Sequence, residues 1–143
     1  MREDIKNMIQ VGRHCVLATA ADGAPYCSLM SYASDETCRR IYMVTLRNTR
    51  KFFNIINNPR VSLLIDSRGT SRPQALTIVG TAREVTAAAE REEAVGLLLA
   101  AHPSLEKFIR HPDAAVICVA AGQVVFLDGL TDAHYEAIGG SEI

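Results

Sequence analysis

A surplus of positive charge is missing from this chain. Fifteen Lys and Arg stand against 16 Asp and Glu, for a formal charge of −1. A nucleic-acid binder needs basic surplus to meet phosphates, so that class is disfavoured and only a local basic patch remains open. Long apolar runs are missing too. The longest, Ala114 to Ala121, has eight residues, far below the roughly 18 of a membrane span. Met1-Arg2-Glu3-Asp4 offers no apolar segment of the kind that opens a signal peptide. The expectation is a soluble, cytoplasmic protein with no membrane partner. Four cysteines occur, with no CxxC pair. Cys15, Cys27 and Cys118 lie in apolar stretches and read as small buried hydrophobes, not as a disulfide framework. His14, His102, His111 and His134 show no HxxxH spacing, so no metal is expected. Walker, GxGxxG and GxSxG motifs are absent as well. Ser28 and Ser31 have no evident His partner and read as strand residues.

What is present suits one globular domain over residues 1–143. Hydrophobic residues make up 48% of the chain, enough for a core. Ile5, Met8 and Ile9 repeat at helical spacing between Glu3 and Val11. Strands follow at Cys15–Thr19, Tyr26–Tyr32 and Arg40–Leu46. They are punctuated by Asp22-Gly23, Pro25 and Asp35-Glu36, which predicts an antiparallel meander. Tyr26, Tyr32 and Tyr42 read as half-buried strand tyrosines. Thr49 to Asn57 reads as a helix stopped by Asn58-Pro59. Strands are expected at Val61–Ile65 and Leu76–Val85, separated by a polar loop. In the second of these Gly80 suggests a bulge or a close backbone approach. Thr86 is the expected cap of a helix to about Ala101, and Ser104 that of a shorter one with Leu105, Phe108 and Ile109. Glu84 and Glu90-Arg91-Glu92-Glu93 read as a solvated acidic face. A final hairpin is expected around Gly122, from Val116–Ala120 and Val124–Leu127, then a loose tail at Gly139-Gly140. The fold class is mainly β with peripheral helices, a mostly antiparallel sheet closing into a small barrel.

One segment is electrostatically out of place. In Thr45-Leu46-Arg47-Asn48-Thr49-Arg50-Lys51 a strand ends, a helix begins, and three cations crowd its positive end. An anion among the free N–H groups would turn that cost into a gain. Asn48 or Thr49 can cap the helix, and Arg and Lys suit a phosphate. A solvated basic turn has the same composition.

The ordered set of segments resembles the pyridoxamine 5′-phosphate oxidase-like FMN-binding split barrels. His14-Cys15-Val16-Leu17-Ala18-Thr19, Asp22-Gly23-Ala24-Pro25 and Ser28-Leu29-Met30 are similar to the family's opening. Ile41-Tyr42-Met43-Val44-Thr45, Thr49-Arg50-Lys51 and Asn57-Asn58-Pro59-Arg60-Val61-Ser62-Leu63 are similar to its phosphate-binding block. Val79-Gly80-Thr81-Ala82 is similar to a later strand. The resemblance implies a split β-barrel and a homodimer with FMN at the subunit interface. It implies phosphate contacts at Arg50 and Lys51, with Asn48 and Thr49 at the helix start and Thr45 beside the phosphate or ribityl chain. Cys27, Ser28, Leu29, Met30 and Ser31 would follow the flavin ring, and Gln74 falls near a flavin-contacting glutamine. A small-molecule substrate or reduced nicotinamide would exchange electrons with the flavin. A flavin store, electron carrier or stress-related sensor without turnover, or a barrel using deazaflavin or haem, is the alternative. One departure stands out. The oxidases place basic and histidine residues near the C-terminus for the substrate's phosphate, and here no Lys or Arg follows Arg110. Asp128, Asp132, Glu136 and Glu142 stand there instead, and Arg68 and Arg72 are the nearest substitutes. Oxidation of pyridoxamine 5′-phosphate itself is therefore not expected.

Overall fold

The computed structural model describes residues 1–67 and 72–139; Arg68, Gly140 and Glu142 lie outside them. The chain opens with helix α1 (Glu3–Val11), whose Ile5 and Ile9 are buried. Strands β1 (His14–Ala21) and β2 (Ala24–Ser31) form a hairpin in which Ala21 pairs with Ala24. Asp22 and Gly23 make the two-residue turn, with φ of 52° and 78°. Positive φ at both positions matches the right-handed twist of the strands, and Asp-Gly is the pair that tolerates it. After β3 (Ala33–Ser34) and β4 (Arg40–Leu46), helix α2 (Arg50–Asn57) leads to β5 (Arg60–Asp66) and β6 (Gln74–Glu84). Helix α3 (Ala88–Ala101), a 3₁₀ turn at Pro103–Leu105 and the short α4 (Glu106–Ile109) precede β7 (Ala114–Asp128) and β8 (Asp132–Ala137).

All pairings are antiparallel, in the order β2-β1-β5-β6-β7-β4-β3, with β8 also on β7. The first three expected strands are not a meander. β2 pairs only with β1, whereas β4 pairs with β7 at the far side of the sheet. β2 and β4 approach each other without pairing, and that gap splits the barrel. The barrel interior is filled by residues such as Leu17, Met43, Leu63, Ile78 and Phe126, with α1 closing one side. A second core, with Tyr42, Val44, Val116, Cys118 and Leu98, lies between β4, β7 and the later helices. β4 and the first half of β7 are therefore buried on both faces. This explains the unbroken apolar run at Ala114–Ala121, since alternation disappears when neither face meets water.

The expected hairpin at Gly122 is instead one continuous strand. On one side β7 pairs with β6 from Ile117 to Asp128. On the other, β4 pairs as far as Ala120 and β8 takes over from Gln123. Gly122 sits at that handover, where the register against β6 shifts. A Cβ on Gly80 opposite would come within 2.1 Å of the Ala120 carbonyl oxygen. The close approach and the bulge read at Gly80 are both present. The true turn is at 129–131, and β8 was not expected. Neither Thr86 nor Ser104 acts as the expected helix cap. The N-cap of α3 is Ala87, with no side-chain cap, and Ser104 lies within the 3₁₀ turn begun by Pro103. Prolines suit that first position because their missing N–H has no helical partner there. Tyr32 and Tyr42 are fully buried, not half-buried, and Cys27 is exposed because its face of edge strand β2 is uncovered.

Candidate functional site

The corner between β4 and α2 is tightly organised. Thr49 is the helix cap. Its hydroxyl donates to the Leu46 carbonyl at 2.8 Å and accepts from the Phe52 N–H at 3.4 Å. That hydroxyl has one hydrogen, so in the 3.1 Å contact with Thr45 the Thr45 hydroxyl is the donor. Thr45 is buried and Thr49 half-buried, so the network is partly sheltered from water. Among the described residues the backbone N–H groups of Arg50 and Lys51 have no protein acceptor. These are the orphan donors of a helix start. The first turn carries no acid and two cations. Unpaired donors, the positive dipole end and a basic first turn together suit an anion.

A cleft of about 280 Å³ opens at this corner. Thr45, Thr49 and Lys51 line it from the β4–α2 side, and Leu29, Met30 and Ser31 from β2. Six of the sequence-derived candidates thus converge across the split in the barrel. Leu29 is 75% exposed, and the outer edge of β2 pairs with no strand among the described residues. Its peptide groups are available to a planar ligand. Asn48 and Arg50 are exposed at the rim without lining the cleft, while Cys27 and Ser28 lie further along β2. Gln74 is elsewhere. It pairs with Asp128 at one end of β7, whereas Thr45 pairs with Ala115 at the other. Its side-chain amide donates to the Asp128 carboxylate at 3.3 Å. The apolar wall of Val44, Leu46, Leu105 and Phe108 was missed. The sequence marks Leu105 and Phe108 as helix residues, but only tertiary packing turns them toward the cleft.

Two acids of the C-terminal segment, Asp128 and Glu136, are already engaged. Arg72 forks onto Asp128 with bonds of 2.7 and 2.6 Å, which holds that carboxyl below the usual carboxylate range. His134 and Glu136 pair at 3.2 Å. Among the described residues no group of three His, Cys, Asp or Glu side chains is placed to hold a metal, and no helix is long and apolar enough to cross a membrane.

Comparison with known proteins places this geometry in context. Residues 1–128 match the family described as pyridoxamine 5′-phosphate oxidase. A pyridoxamine 5′-phosphate oxidase homologue of Schizosaccharomyces pombe is 35% identical over 78 residues, which cover 49% of this chain and 41% of that protein. A heme-binding protein from Mycobacterium smegmatis superposes with a TM-score of 0.83 at 17% identity, covering 96% of this chain and 59% of that one. A FAD-binding protein from Mesorhizobium loti gives 0.74 at 19% identity, covering 91% and 96%. At such identities the likeness is one of fold. The chain spans less than two thirds of the fission-yeast and Mycobacterium smegmatis proteins.

Proposed function

The chain belongs to the pyridoxamine 5′-phosphate oxidase family, and from that premise we propose that it is an FMN-binding flavoprotein, an oxidoreductase acting on a small molecule. The observation that carries this reading is the start of α2, where two unpaired N–H groups and Lys51 stand at the mouth of a cleft beside a free strand edge. The residues fit the cofactor. The Arg50 and Lys51 N–H groups and the Lys51 ammonium would hold the phosphate, with the Arg50 guanidinium closing from the rim. Thr45 and Thr49 fix the corner, so the donors need no rearrangement on binding. The free edge of β2 from Cys27 to Ser31 would supply peptide donors along the ring, where they favour negative charge on the reduced form. Leu105 and Phe108 would exclude water. The flavin itself would supply the electron and hydride chemistry.

Among the described residues the cleft lining contains no His, Cys or Tyr, which favours flavin over haem, whose iron commonly takes such ligands. Among those residues it also contains no carboxylate or imidazole to act as acid or base. That observation supports the second reading, a flavin store or carrier without turnover.

We propose one domain over residues 1–143 and a symmetric homodimer in the cytoplasm. Leu29, Val16, Leu64, Thr77, Val125 and Tyr135 are successive cross-strand partners on the outer face of six strands. Leu29, Leu64 and Tyr135 are exposed. A contiguous apolar row of this kind suits a second copy. Gln74, remote from the cleft within one chain, would join the site only from the other subunit.

The visible absorption spectrum of the purified, FMN-reconstituted protein tests the reading. A flavin spectrum that bleaches anaerobically with reduced nicotinamide or an organic donor supports the oxidoreductase. A flavin spectrum that no donor bleaches points to the store or carrier. A haem or deazaflavin spectrum after expression contradicts both.

A further inference from the structure

A second cleft, of about 580 Å³, lies on the other side of α4 from the one described above. Arg91 from α3, Arg110 and His111 beyond α4, and Arg47 from the β4–α2 corner line it, and Glu106 is the acid among the lining residues. Its cations are positioned. The Arg47 N–H donates to the Asp113 carbonyl at 2.9 Å, and its guanidinium donates to the Ala114 carbonyl at 3.2 Å and to the Glu84 carboxylate. Arg110 donates to Glu106 at 2.7 Å. The His111 Nδ1 accepts from the Asp113 N–H at 3.0 Å, so the neutral ring carries its proton on Nε2 and offers it as a donor. Arg91 makes no ion pair or side-chain hydrogen bond among the described residues.

Ion pairing accounts for two of these arginines and leaves the third. With Glu84 and Glu106 both counted, the cleft keeps a net positive charge. Val95 and Leu99 form an apolar wall beside it, and low local polarity strengthens attraction for an anion. The fork of a guanidinium matches the paired oxygens of a phosphate.

We propose that this cleft is a second anion site, one that takes a phosphorylated small molecule between Arg91, Arg110 and the Nε2–H of His111. The cleft is separate from the site at the start of α2, and a free phosphate group would bind it with or without flavin there. Two sources share the chemistry. The phosphate belongs either to an independent molecule or, because Leu46 and Arg47 join the two clefts, to the distal part of a dinucleotide flavin anchored at α2.

The test is a calorimetric titration of inorganic pyrophosphate into FMN-saturated protein at fixed ionic strength. The native protein, Arg91→Gln and Arg110→Gln are compared. Arg110 is exposed and the half-buried Arg91 has no ion pair to lose among the described residues, so unchanged melting temperatures are expected. The native protein is expected to bind one pyrophosphate per chain, each variant at least tenfold more weakly, and FMN affinity is expected to stay constant. A preference for FAD over FMN that disappears in Arg91→Gln assigns the phosphate to a dinucleotide. Equal affinity for the two flavins assigns it to a separate molecule. Pyrophosphate binding that is equal in all three proteins, or that only displaces FMN, overturns the proposal. If no flavin binds, the flavin reading fails by itself and the same titration on unloaded protein still decides this one.

Discussion

Lys51 and Arg50 are neighbours in sequence and stand differently toward the cleft. Lys51 lines it, and Arg50 is exposed at its rim. A charge-assisted hydrogen bond contributes about 1.5–3 kcal/mol, so Lys51→Ala should weaken FMN about tenfold or more. Arg50→Ala should cost less, and riboflavin, which has no phosphate, should bind both variants as it binds the native protein. Quenching of flavin fluorescence measures all three. Equal losses for riboflavin and FMN would mean that the lysine shapes the pocket without touching phosphate. The residue scale was the most legible in sequence where chemistry is local. Thr49 as cap and the basic, acid-free helix start follow from charge and spacing. Cys27 was misread because an apolar neighbourhood in sequence does not reveal which strand ends up on an uncovered edge. Arg91 was hidden in an acidic run because the other cations of its cleft come from the segment after α4 and from the β4–α2 corner.

Among the elements, α3 is held by a contact that reads in sequence as solvent-facing charge. Glu90 accepts a fork from Arg83 at 2.9 and 2.8 Å and the Tyr42 hydroxyl at 3.0 Å, tying the helix to β6 and β4. The Arg83 guanidinium holds the Glu90 carboxyl below its ordinary 4.5, although burial opposes it. A carboxyl lowered on folding stabilises the fold above its unfolded value, and that gain fades as pH falls through the lowered value. Stability should therefore drop with acid below about pH 4.5, and Glu90→Gln should flatten part of that drop. Urea midpoints between pH 6 and pH 3 check it, and an unchanged pH profile in the variant would dissociate Glu90 from acid stability. Most elements were legible from period and punctuation. β4, α1 and the α2 start match to within a residue. β7 was cut in two because a glycine between apolar runs looks the same at a turn and at a bulge. Which it is depends on β4, β6 and β8, contributed from three distant parts of the chain.

At the scale of the whole molecule, the apolar row from Leu29 to Tyr135 makes a prediction about assembly. The native protein should sediment at twice its chain mass of 15.6 kDa, and Leu64→Asp should shift it toward the monomer with loss of FMN. A native monomer that holds FMN tightly would remove the second subunit from the site. Substrate is decided at the same scale. Arg72 is committed to Asp128, and the basic cleft lies across α4 from the proposed flavin site. Among the described residues no second cation cluster therefore stands beside the proposed ring position to hold a substrate's phosphate. Assays of pyridoxal 5′-phosphate formation from pyridoxamine 5′-phosphate should show no sustained turnover, and turnover would mean that another part of the assembly supplies the cluster. Both points were only partly legible, because a sequence reports neither which surfaces face a second copy nor how far apart two basic groups lie. The central claim is that the α2 start grips the phosphate of a flavin. Paired titrations of the native protein with FMN and riboflavin test it most directly. FMN should bind at least tenfold more tightly, and equal affinities would contradict the account.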